Sequence, residues 1–192
     1  MSYKTNHFDD EVVRLLKCGG VGLLPADTIY GLSCLALDEA AVKRLRRLKG
    51  RSQQKPFIVL FSDYGQLKDL NMPTARLKLV KKYWPGPLSL EWDASKSPVW
   101  LHPASDTFAI RMPNRADLLQ LIEQVGPITS TSANPEGHPP AMSVSSANKY
   151  FGEQLGFYVR GGQTKKPVAS TLVRLQASEL KVLRQGAVTI KP

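Results

Sequence analysis

Apolar and polar residues alternate along the chain in segments that predict helices and strands. Residues 8–18 repeat their apolar side chains at helical spacing behind an acidic first turn, and a glycine pair at 19–20 marks the end of this helix. The run 21–24 is apolar throughout and stops at Pro25, which is typical of a buried strand that leads into a loop. Because proline has no N–H, Pro25 is expected to end the pairing of this strand.

A second helix is predicted between Asp38, a residue type favoured at helix starts, and Gly50, a residue type that often ends helices. Its expected solvent-facing side chains are Lys43, Arg44, Arg46 and Arg47. Lys49 and Arg51 flank Gly50 and are expected to point away from the regular structure. The wholly apolar run 57–61 then predicts a strand at the centre of a sheet.

The middle of the chain combines short helices with alternating strands. Helices are predicted after Asp63 and after Thr74. The stretch 88–92 alternates apolar and polar residues as a half-buried strand does. In the next strand, 108–112, Arg111 lies on the face opposite the apolar side chains, so we expect it to have an anionic partner.

The last third of the chain completes the predicted sheet. Asn114 and Ser143 are predicted to cap two further helices, and the segment 128–134 runs from a strand into a loop rich in hydroxyl groups. Late strands are expected at 157–159, 170–175 and 182–183, around a turn at 161–162. The irregular alternation of these elements predicts an α/β fold, a single domain over residues 1–192 with a twisted mixed sheet and helices packed on it.

Composition limits the classes of function. The chain has 192 residues, 42% of them hydrophobic, which suffices for one ordinary core. Its 26 Lys and Arg against 16 Asp and Glu give a net charge of +10, which attracts polyanions such as nucleotides or RNA; a basic surface that only aids solubility is the alternative. No segment approaches the roughly 20 apolar residues of a membrane span and no secretory signal begins the chain, so a cytoplasmic protein without a membrane partner is expected.

The two cysteines and three histidines form no cluster, so neither a disulfide framework nor a metal site built from side chains is indicated. The common glycine-rich phosphate loops do not occur either. Another set of cations, hydroxyls and an amide could bind a triphosphate: Lys49, Arg51, Lys55, Arg111, Ser130, Ser132, Asn134 and Arg184. Considered singly, each is more simply explained as a surface charge or a turn-forming residue. No serine or cysteine lies in the pattern of an activated nucleophile, so positioning and charge are the expected sources of catalysis.

Four sequence blocks occur in order through nearly the whole chain. They are residues 25–31 (PADTIYG), 49–56 (KGRSQQKP), 108–113 (FAIRMP) and 130–134 (STSAN), with WPGP at 84–87 and Ser170 followed by Thr171 in agreement. Over residues 8–186 the chain thereby resembles the YrdC-like family of threonylcarbamoyl-adenylate synthases, of the short, single-domain TsaC type. The resemblance implies the YrdC/RibB-like α/β fold and no separate C-terminal domain.

The resemblance also implies a reaction. Such an enzyme joins L-threonine, bicarbonate and ATP, which carries Mg²⁺, into L-threonylcarbamoyl-AMP and releases pyrophosphate. The product serves the threonylcarbamoylation of adenosine in tRNA through a downstream threonylcarbamoyl-transferase complex. By position, the resemblance assigns ATP contacts to Arg51, Lys55, Thr107, Ser132, Asn134 and Arg184, and threonine contacts to Thr28, Arg111, Ser130 and Ser170. It implies that Lys49 and Arg51 are catalytic.

Four positions depart from the family pattern. Ala26 replaces the usual threonine, and Leu60 stands where some members have histidine. Ala169 replaces a common proline, and Arg174 replaces an acidic residue. We interpret them as adjustments of the pocket that leave the amino-acid preference open. One alternative function is a non-catalytic protein of the same fold that binds double-stranded RNA or tRNA through its basic surface. Another is a relative that has lost adenylate synthesis, which is disfavoured by the presence of Lys49, Arg51, Ser132 and Asn134.

Overall fold

The computed structural model describes residues 1–161, 168–176 and 179–190, except the side chains at 75 and 76. Within these ranges the strands are β1 (Tyr3–Thr5), β2 (Gly22–Pro25), β3 (Tyr30–Leu35), β4 (Ile58–Leu60), β5 (Leu88–Asp93), β6 (Thr107–Arg111), β7 (Ile128–Ser132), β8 (Phe157–Val159), β9 (Thr171–Gln176) and β10 (Glu179–Arg184). They form one mixed sheet in the order β1-β8-β2-β3-β7-β4-β6-β5-β9-β10. The central place predicted for the strand around residues 57–61 is confirmed, because β4 lies inside the sheet between β7 and β6.

The α-helices of the described chain are α1 (Asp10–Lys17), α2 (Glu39–Lys49), α3 (Lys78–Lys81), α4 (Ala116–Val125) and α5 (Val144–Phe151). Shorter 3₁₀ turns lie at Tyr64–Leu67, Thr74–Leu77, Val99–Leu101 and Gly152–Gln154. The predicted caps Asp38 and Ser143 are confirmed, since each side chain accepts a hydrogen bond from a backbone N–H of the helix it begins. The helix predicted after Asp63 is a 3₁₀ turn, and the Asp63 side chain caps it. Gly50 ends α2 with φ +61°, a left-handed conformation that glycine adopts without strain. Among the described residues, no helix combines the length and the apolar character needed to cross a membrane.

One face of the sheet packs against α2 and α5. Val42 and Leu45 of α2 are fully buried in the core on this side, together with Phe151 of α5. The expected solvent face of α2 needs one correction. Arg46 is half-buried, with its guanidinium 4.6 Å from the centroid of the Phe57 ring. An arginine can pack its planar group on an aromatic ring in this way while its edges stay hydrated.

The opposite face of the sheet is divided into two halves. Helices α1 and α4 cover one half, where Val12 and Leu16 meet Leu118, Leu121 and Ile122 in a second apolar core. The other half carries a row of mostly polar residues at paired positions of neighbouring strands, in the order Ser33, Ser130, Ile58, Ala109, Glu91 and Arg174. Paired residues project to the same side of a sheet, so this row lies on one surface, which we call the polar half-face.

Three local predictions are corrected. Pro25 does not end the pairing of β2 but remains in register with Tyr30, because a terminal strand residue can pair through its carbonyl alone. Asn114 does not cap α4, whose N-cap residue is Arg115; the backbone N–H of Asn114 donates to Asp27 Oδ2 at 3.0 Å. Strand β5 is more buried than predicted, because its polar Ser89 is covered and hydrogen-bonded, although Glu91 is only half-buried. The predicted turn at 161–162 includes residue 162, which lies outside the described residues.

Candidate active site

A cavity of about 330 Å³ opens on the polar half-face, beside the loop 26–29 that joins β2 to β3. Of the residues predicted to form the site, the following line it: Thr28, Arg51, Arg111, Ser130, Ser132, Ser170 and Arg184. They come from segments far apart in the chain, and the sheet order brings them together because β7 lies between β3 and β4, and β6 is the next strand. The structure thus gathers most of the predicted site residues in one place.

Arg111 is the buried cation of this cavity, with 4% of its surface exposed at the end of β6. Its Nη1 lies 3.2 Å from Asp27 Oδ1 and donates a hydrogen bond of 3.2 Å to Thr28 Oγ1. The expected anionic partner of Arg111 is therefore confirmed, and it is Asp27. Burial lowers the pKa of Arg111, and the charge of Asp27 opposes that shift. Among the described residues the buried Nε of Arg111 has no hydrogen-bond partner. Because Arg111 lines the cavity, its guanidinium is placed to donate to a ligand there.

Room beside Arg111 depends on Gly31. A Cβ atom at this position would lie 2.8 Å from Ser130 Oγ and 3.3 Å from the carbonyl oxygen of Thr131. Any larger residue would therefore displace the Ser130 hydroxyl, which lines the cavity. The block PADTIYG contains this glycine, which pairs with Ser132 of β7. The close approach of the neighbouring strand, and not the pairing itself, is what favours glycine here.

The far side of the cavity is formed where β9 begins and β10 ends. The Ser170 hydroxyl lies 2.8 Å from that of Ser89, so the two serines share a hydrogen bond inside the sheet. Arg184 Nη2 donates to the carbonyl oxygen of Ser170 at 3.0 Å. This contact places the Arg184 guanidinium at the cavity, next to Ser170.

Arg51 lies on another wall of the cavity and is held by carbonyl oxygens. Its Nε donates to Lys55 O at 3.1 Å, its Nη2 to Pro56 O at 2.8 Å, and its guanidinium lies 5.3 Å from the centroid of the Phe57 ring. Burial and the nearby Arg46 lower the pKa of Arg51. These contacts fix the orientation of the guanidinium without neutralising its charge.

Lys49 lies beneath this wall, and the prediction that it points away from the regular structure is wrong. Only 3% of Lys49 is exposed, and its Nζ donates to Ser132 O and Asn134 O, both at 2.6 Å. The side chain is drawn inward because the loop after β7 offers these carbonyl oxygens to the end of α2. Burial, with a smaller contribution from Arg51, lowers the pKa of Lys49 to about 8.

Asn134 is also turned into the protein rather than toward the cavity. Its side-chain Nδ2 donates to Pro135 O at 2.9 Å and to His138 O at 2.7 Å. Its backbone carbonyl oxygen accepts from Lys49 Nζ. The structure thus places Lys49 and Asn134 behind Ser132, where they hold the loop that carries it. Direct contact of either side chain with a triphosphate stays a prediction.

Lys55 lies at the exposed rim, where it forms an ion pair with Glu136. Glu136 links the loop after the STSAN block to the 49–56 block. Its carboxylate also accepts from the Ser52 N–H at 2.7 Å, and its own N–H donates to Lys49 O at 2.7 Å. The hydrogen bond from Lys55, followed by that from the Ser52 N–H and by the charge of Lys55, lowers the pKa of Glu136. Sequence reasoning missed Glu136; the only signal was its place two residues after the STSAN block.

Thr107 is not brought to this cavity. It lies at the other end of β6, on the same side of the sheet as Arg111 but about 13 Å further along the strand. Its hydroxyl donates to Glu91 Oε1 at 3.2 Å, at the edge of a larger groove of about 900 Å³. That groove contains none of the other predicted site residues, so the smaller cavity is the better candidate. The contact of Thr107 with ATP stays a prediction.

The four unusual positions fall into two groups. Ala26 and Ala169 line the cavity, so their small side chains affect its width directly. Leu60 is 1% exposed in the apolar core beneath α1 and α4, and Arg174 forms an ion pair with Glu91 outside the cavity. Adjustments of the pocket are therefore confined to Ala26 and Ala169.

The family is decided by comparison with known proteins. Residues 14–186 match the Sua5/YciO/YrdC family model, which is described as "Telomere recombination". The chain belongs to this family. Within it, the threonylcarbamoyl-AMP synthase of Pseudoalteromonas translucida is 34% identical over 162 residues, which cover 80% of this chain and 87% of the relative. The predicted membership of the YrdC-like synthase family is thus confirmed.

Solved structures confirm the predicted α/β fold. Pyrococcus abyssi Sua5 complexed with L-threonine matches with a TM-score of 0.84 at 32% identity, over 97% of this chain and 57% of the Sua5 chain. The described protein therefore corresponds to little more than half of that Sua5 chain. YciO of Escherichia coli also matches with a TM-score of 0.84, over 100% of this chain and 98% of its own, and at 23% identity it supports the fold alone.

Proposed function

We propose that this protein is an L-threonylcarbamoyladenylate synthase, which makes L-threonylcarbamoyl-AMP and pyrophosphate from L-threonine, bicarbonate and ATP. One observation carries the proposal: two sets of ligand-like groups meet in a single cavity of about 330 Å³. One set centres on the buried Arg111 and the other on Arg51 and Arg184. The synthase names of related proteins, and the L-threonine bound by Pyrococcus abyssi Sua5, support the choice of reaction.

Threonine fits the wall formed by Arg111, Thr28 and Ser130. The guanidinium of Arg111, which lines the cavity, can donate to the substrate carboxylate, and a charged hydrogen bond of this kind is stronger than a neutral one. The hydroxyls of Thr28, Ser130 and Ser170 can meet the substrate hydroxyl and amine. Since a site built to hydrogen-bond a hydroxyl rejects analogues that lack it, valine should be a poor substrate.

ATP fits the opposite walls, where Arg51, Ser132 and Arg184 face the same space. Mg²⁺ enters as part of the MgATP substrate, held by phosphate oxygens. The nearby carboxylates, Asp27 and Glu136, are committed to Arg111 and Lys55, so the proposal needs no carboxylate ligand from the protein.

The reaction balances without a covalent enzyme intermediate. The nitrogen of the neutral threonine amine bonds to the carbon of bicarbonate, from which water leaves, or to the carbon of CO₂, in which case the amine loses a proton. Either route gives a carbamate. A carbamate oxygen then attacks the α-phosphorus of ATP, the bond from that phosphorus to the bridging oxygen breaks, and pyrophosphate leaves. Arg51 and Arg184 would stabilise charge on the phosphates, while Arg111 holds the carboxylate away from the reacting centre.

The proposed product is a mixed anhydride that would be consumed in threonylcarbamoylation of tRNA by a downstream transferase complex. Binding of tRNA or double-stranded RNA to this protein is a separate proposal, supported by the net charge of +10 and by the exposed cations Lys43, Arg44 and Arg47 of α2. A protein that only binds RNA would make no adenylate.

Pyrophosphate release from ATP by the purified protein tests the proposal. Release is expected to require both L-threonine and bicarbonate, and L-valine should replace threonine poorly. The adenylate should be identified in the same reaction by mass spectrometry, because contaminating ATPases release phosphate without it. If pyrophosphate release is absent or independent of threonine, the proposed function is wrong.

A further inference from the structure

A β-bulge determines which face of the sheet Arg184 occupies. Along β10, Lys181 pairs with Arg174 and Val182 pairs with Val173, but the next paired residue is Arg184, opposite Leu172. Leu183 is thus an additional residue without its own pairing position. If Leu183 paired regularly and no bulge were present, the strict alternation of the strand would turn Arg184 to the face occupied by Val182. The extra residue instead returns Arg184 to the polar half-face, where the cavity lies.

The segment that follows the bulge is held by one buried hydroxyl. Thr171 is fully buried at the start of β9, and its Oγ1 accepts hydrogen bonds of 3.0 Å from the N–H groups of Gly186 and Val188. The same hydroxyl donates to Val188 O at 2.6 Å. Three hydrogen bonds to one side chain thus fix the turn 185–188 against β9.

Close packing supports the same arrangement. A Cβ at Gly186 would lie 2.3 Å from Ala169 O and 2.6 Å from Ser170 O, so the turn rests directly on the backbone that lines the cavity. The Ala187 N–H donates to Ala169 O at 3.0 Å. Arg184 Nη2 donates to the next carbonyl, that of Ser170. The position of Arg184 is therefore coupled to the turn immediately behind it.

We propose that Thr171 is a positioning residue whose hydroxyl locks the turn 185–188 and thereby holds the bulged Arg184 in the active-site cavity. Thr171 has no surface exposed and does not line the cavity, so it acts through Arg184. The effect of Thr171 on ATP binding rests on the proposed function, in which Arg184 is an ATP ligand. The locked turn itself can be tested without any catalytic assay.

The kinetic test replaces Thr171 by valine, which keeps the shape and removes the hydroxyl. Thr171→Val is expected to raise the KM for ATP about tenfold, equivalent to about 1.4 kcal/mol, with a smaller change in the KM for threonine. Thr171→Ser should stay near the wild-type KM for ATP because it retains the hydroxyl. A matched control is Thr129→Val, since Thr129 is also fully buried and its hydroxyl donates to Cys34 O in the core on the α2 side of the sheet, away from the turn 185–188. This control should leave the KM for ATP unchanged.

The second readout is amide hydrogen exchange at Gly186 and Val188. Both amides should exchange slowly in the wild type and in Thr171→Ser, and rapidly in Thr171→Val. In an Arg184→Ala background, Thr171→Val should raise the KM for ATP no further, because both changes remove the same contact. Should the valine variant fail to fold, Thr171→Ala provides the same loss of hydroxyl with less side chain to pack.

The outcomes separate this inference from the proposed function. Wild-type protein that releases no threonine-dependent pyrophosphate refutes the function, while the exchange rates still test the lock. Active wild type together with an unchanged KM for ATP in Thr171→Val refutes the lock. Equal effects of Thr171→Val and Thr129→Val, or additive effects of Thr171→Val and Arg184→Ala, would show that Thr171 contributes only to stability.

Discussion

Two walls of the cavity each contain a buried or half-buried arginine, but among the described residues only one of these arginines is paired with a carboxylate. On one wall, Arg111 is paired with a carboxylate, because Asp27 Oδ1 lies 3.2 Å from its Nη1. On the other wall, Arg51 is held by the carbonyl oxygens of Lys55 and Pro56. A carboxylate cancels the charge of its partner, whereas a carbonyl satisfies only its N–H groups. The Arg111 wall is therefore close to neutral, and the Arg51 wall keeps its charge.

This difference matches the two substrates that we propose. An amino acid carries a single carboxylate, so a neutral wall with one free donor suffices to orient it. A triphosphate carries several negative charges, and each unit pair at 4 Å contributes roughly 4 kcal/mol at an effective dielectric constant near 20. The cavity thus separates an orienting wall from an attracting wall, and each can be altered on its own.

The largest expected effect follows from breaking the buried pair of the orienting wall. Asp27→Asn keeps the shape but leaves Arg111 buried without a counter-charge, so the free energy of unfolding should fall by about 3 kcal/mol. Threonine should then stabilise the variant more than the wild type, because its carboxylate replaces the missing charge. Urea denaturation with and without threonine measures both effects.

The control for Asp27→Asn is Glu11→Gln, which removes a carboxylate from an exposed ion pair with Arg14. Exposed pairs of this kind contribute under about 1 kcal/mol. A loss in Asp27→Asn no larger than that of the control would mean that Asp27 does not compensate Arg111. Equal stabilisation of variant and wild type by threonine would mean that the two carboxylates do not share Arg111.

The attracting wall should be most sensitive at Arg51. Arg51→Ala is expected to lower kcat/KM for ATP about 100-fold, equivalent to about 2.7 kcal/mol, since a cation that faces the phosphates is lost. The stability of the fold should change little, because no carboxylate in the described part of the chain pairs with Arg51 and would be left alone. The matched control is Arg47→Ala, which removes an exposed arginine of the same helix region. If both variants release pyrophosphate at the wild-type rate, the position of the triphosphate is wrong.

The local sequence pattern was sufficient to predict several helices and strands, but not the contacts that form the two walls of the cavity. The strand around β4, the caps at Asp38 and Ser143 and the glycine at the end of α2 follow from neighbouring residues. By contrast, Arg111 contacts Thr28, which lies 83 positions away, and only the sheet order brings the two together. The sequence predicts that Arg111 needs an anion, but it cannot select Asp27 among the acidic residues.

Lys49 and Arg184 show where sequence periodicity fails. Lys49 is at the end of a helix, where a lysine is usually exposed, yet it is buried by carbonyl oxygens of a loop 83 and 85 positions away. Arg184 lies on the cavity side because of the additional residue Leu183, and a repeat of two residues would have placed it on the other face. Both placements depend on tertiary contacts that no local window contains.

A smaller effect on the attracting wall is expected from pH. Lys49 holds the loop of Ser132, and its pKa is lowered to about 8 by burial, so its ammonium loses a proton as the pH rises through that value. The neutral amine of Lys49 has one N–H donor fewer for the carbonyl oxygens of the Ser132 loop, so this loop is held less firmly. Pyrophosphate release should therefore fall about threefold between pH 7.5 and pH 9. In Lys49→Arg the guanidinium stays charged, and the alkaline decline should disappear.

Stability should change with pH in the opposite sense, which separates this effect from alkaline unfolding. The folded-state pKa of Lys49 is below the value of 10.5 for a free lysine. Between these values the unfolded chain binds more protons at this residue, so its contribution to the free energy of unfolding rises with pH. A decline in activity accompanied by loss of folded protein would attribute the pH profile to other groups.

The smallest expected effect is an increase in the charge of the attracting wall. Glu136 forms an ion pair with Lys55 at the rim and competes with phosphate for its ammonium group. Glu136→Gln keeps an oxygen for the Ser52 N–H and removes the negative charge, so the KM for ATP should fall about twofold at low salt. At about 0.5 M salt the difference should vanish, because exposed charges are screened within a few ångströms. The matched control is Glu153→Gln, which alters an exposed acid beside the N-terminus.

A higher KM for ATP in Glu136→Gln would contradict this prediction. It would show that the ion pair positions Lys55 for phosphate. The Arg51 wall would then depend on a carboxylate, as the Arg111 wall depends on Asp27.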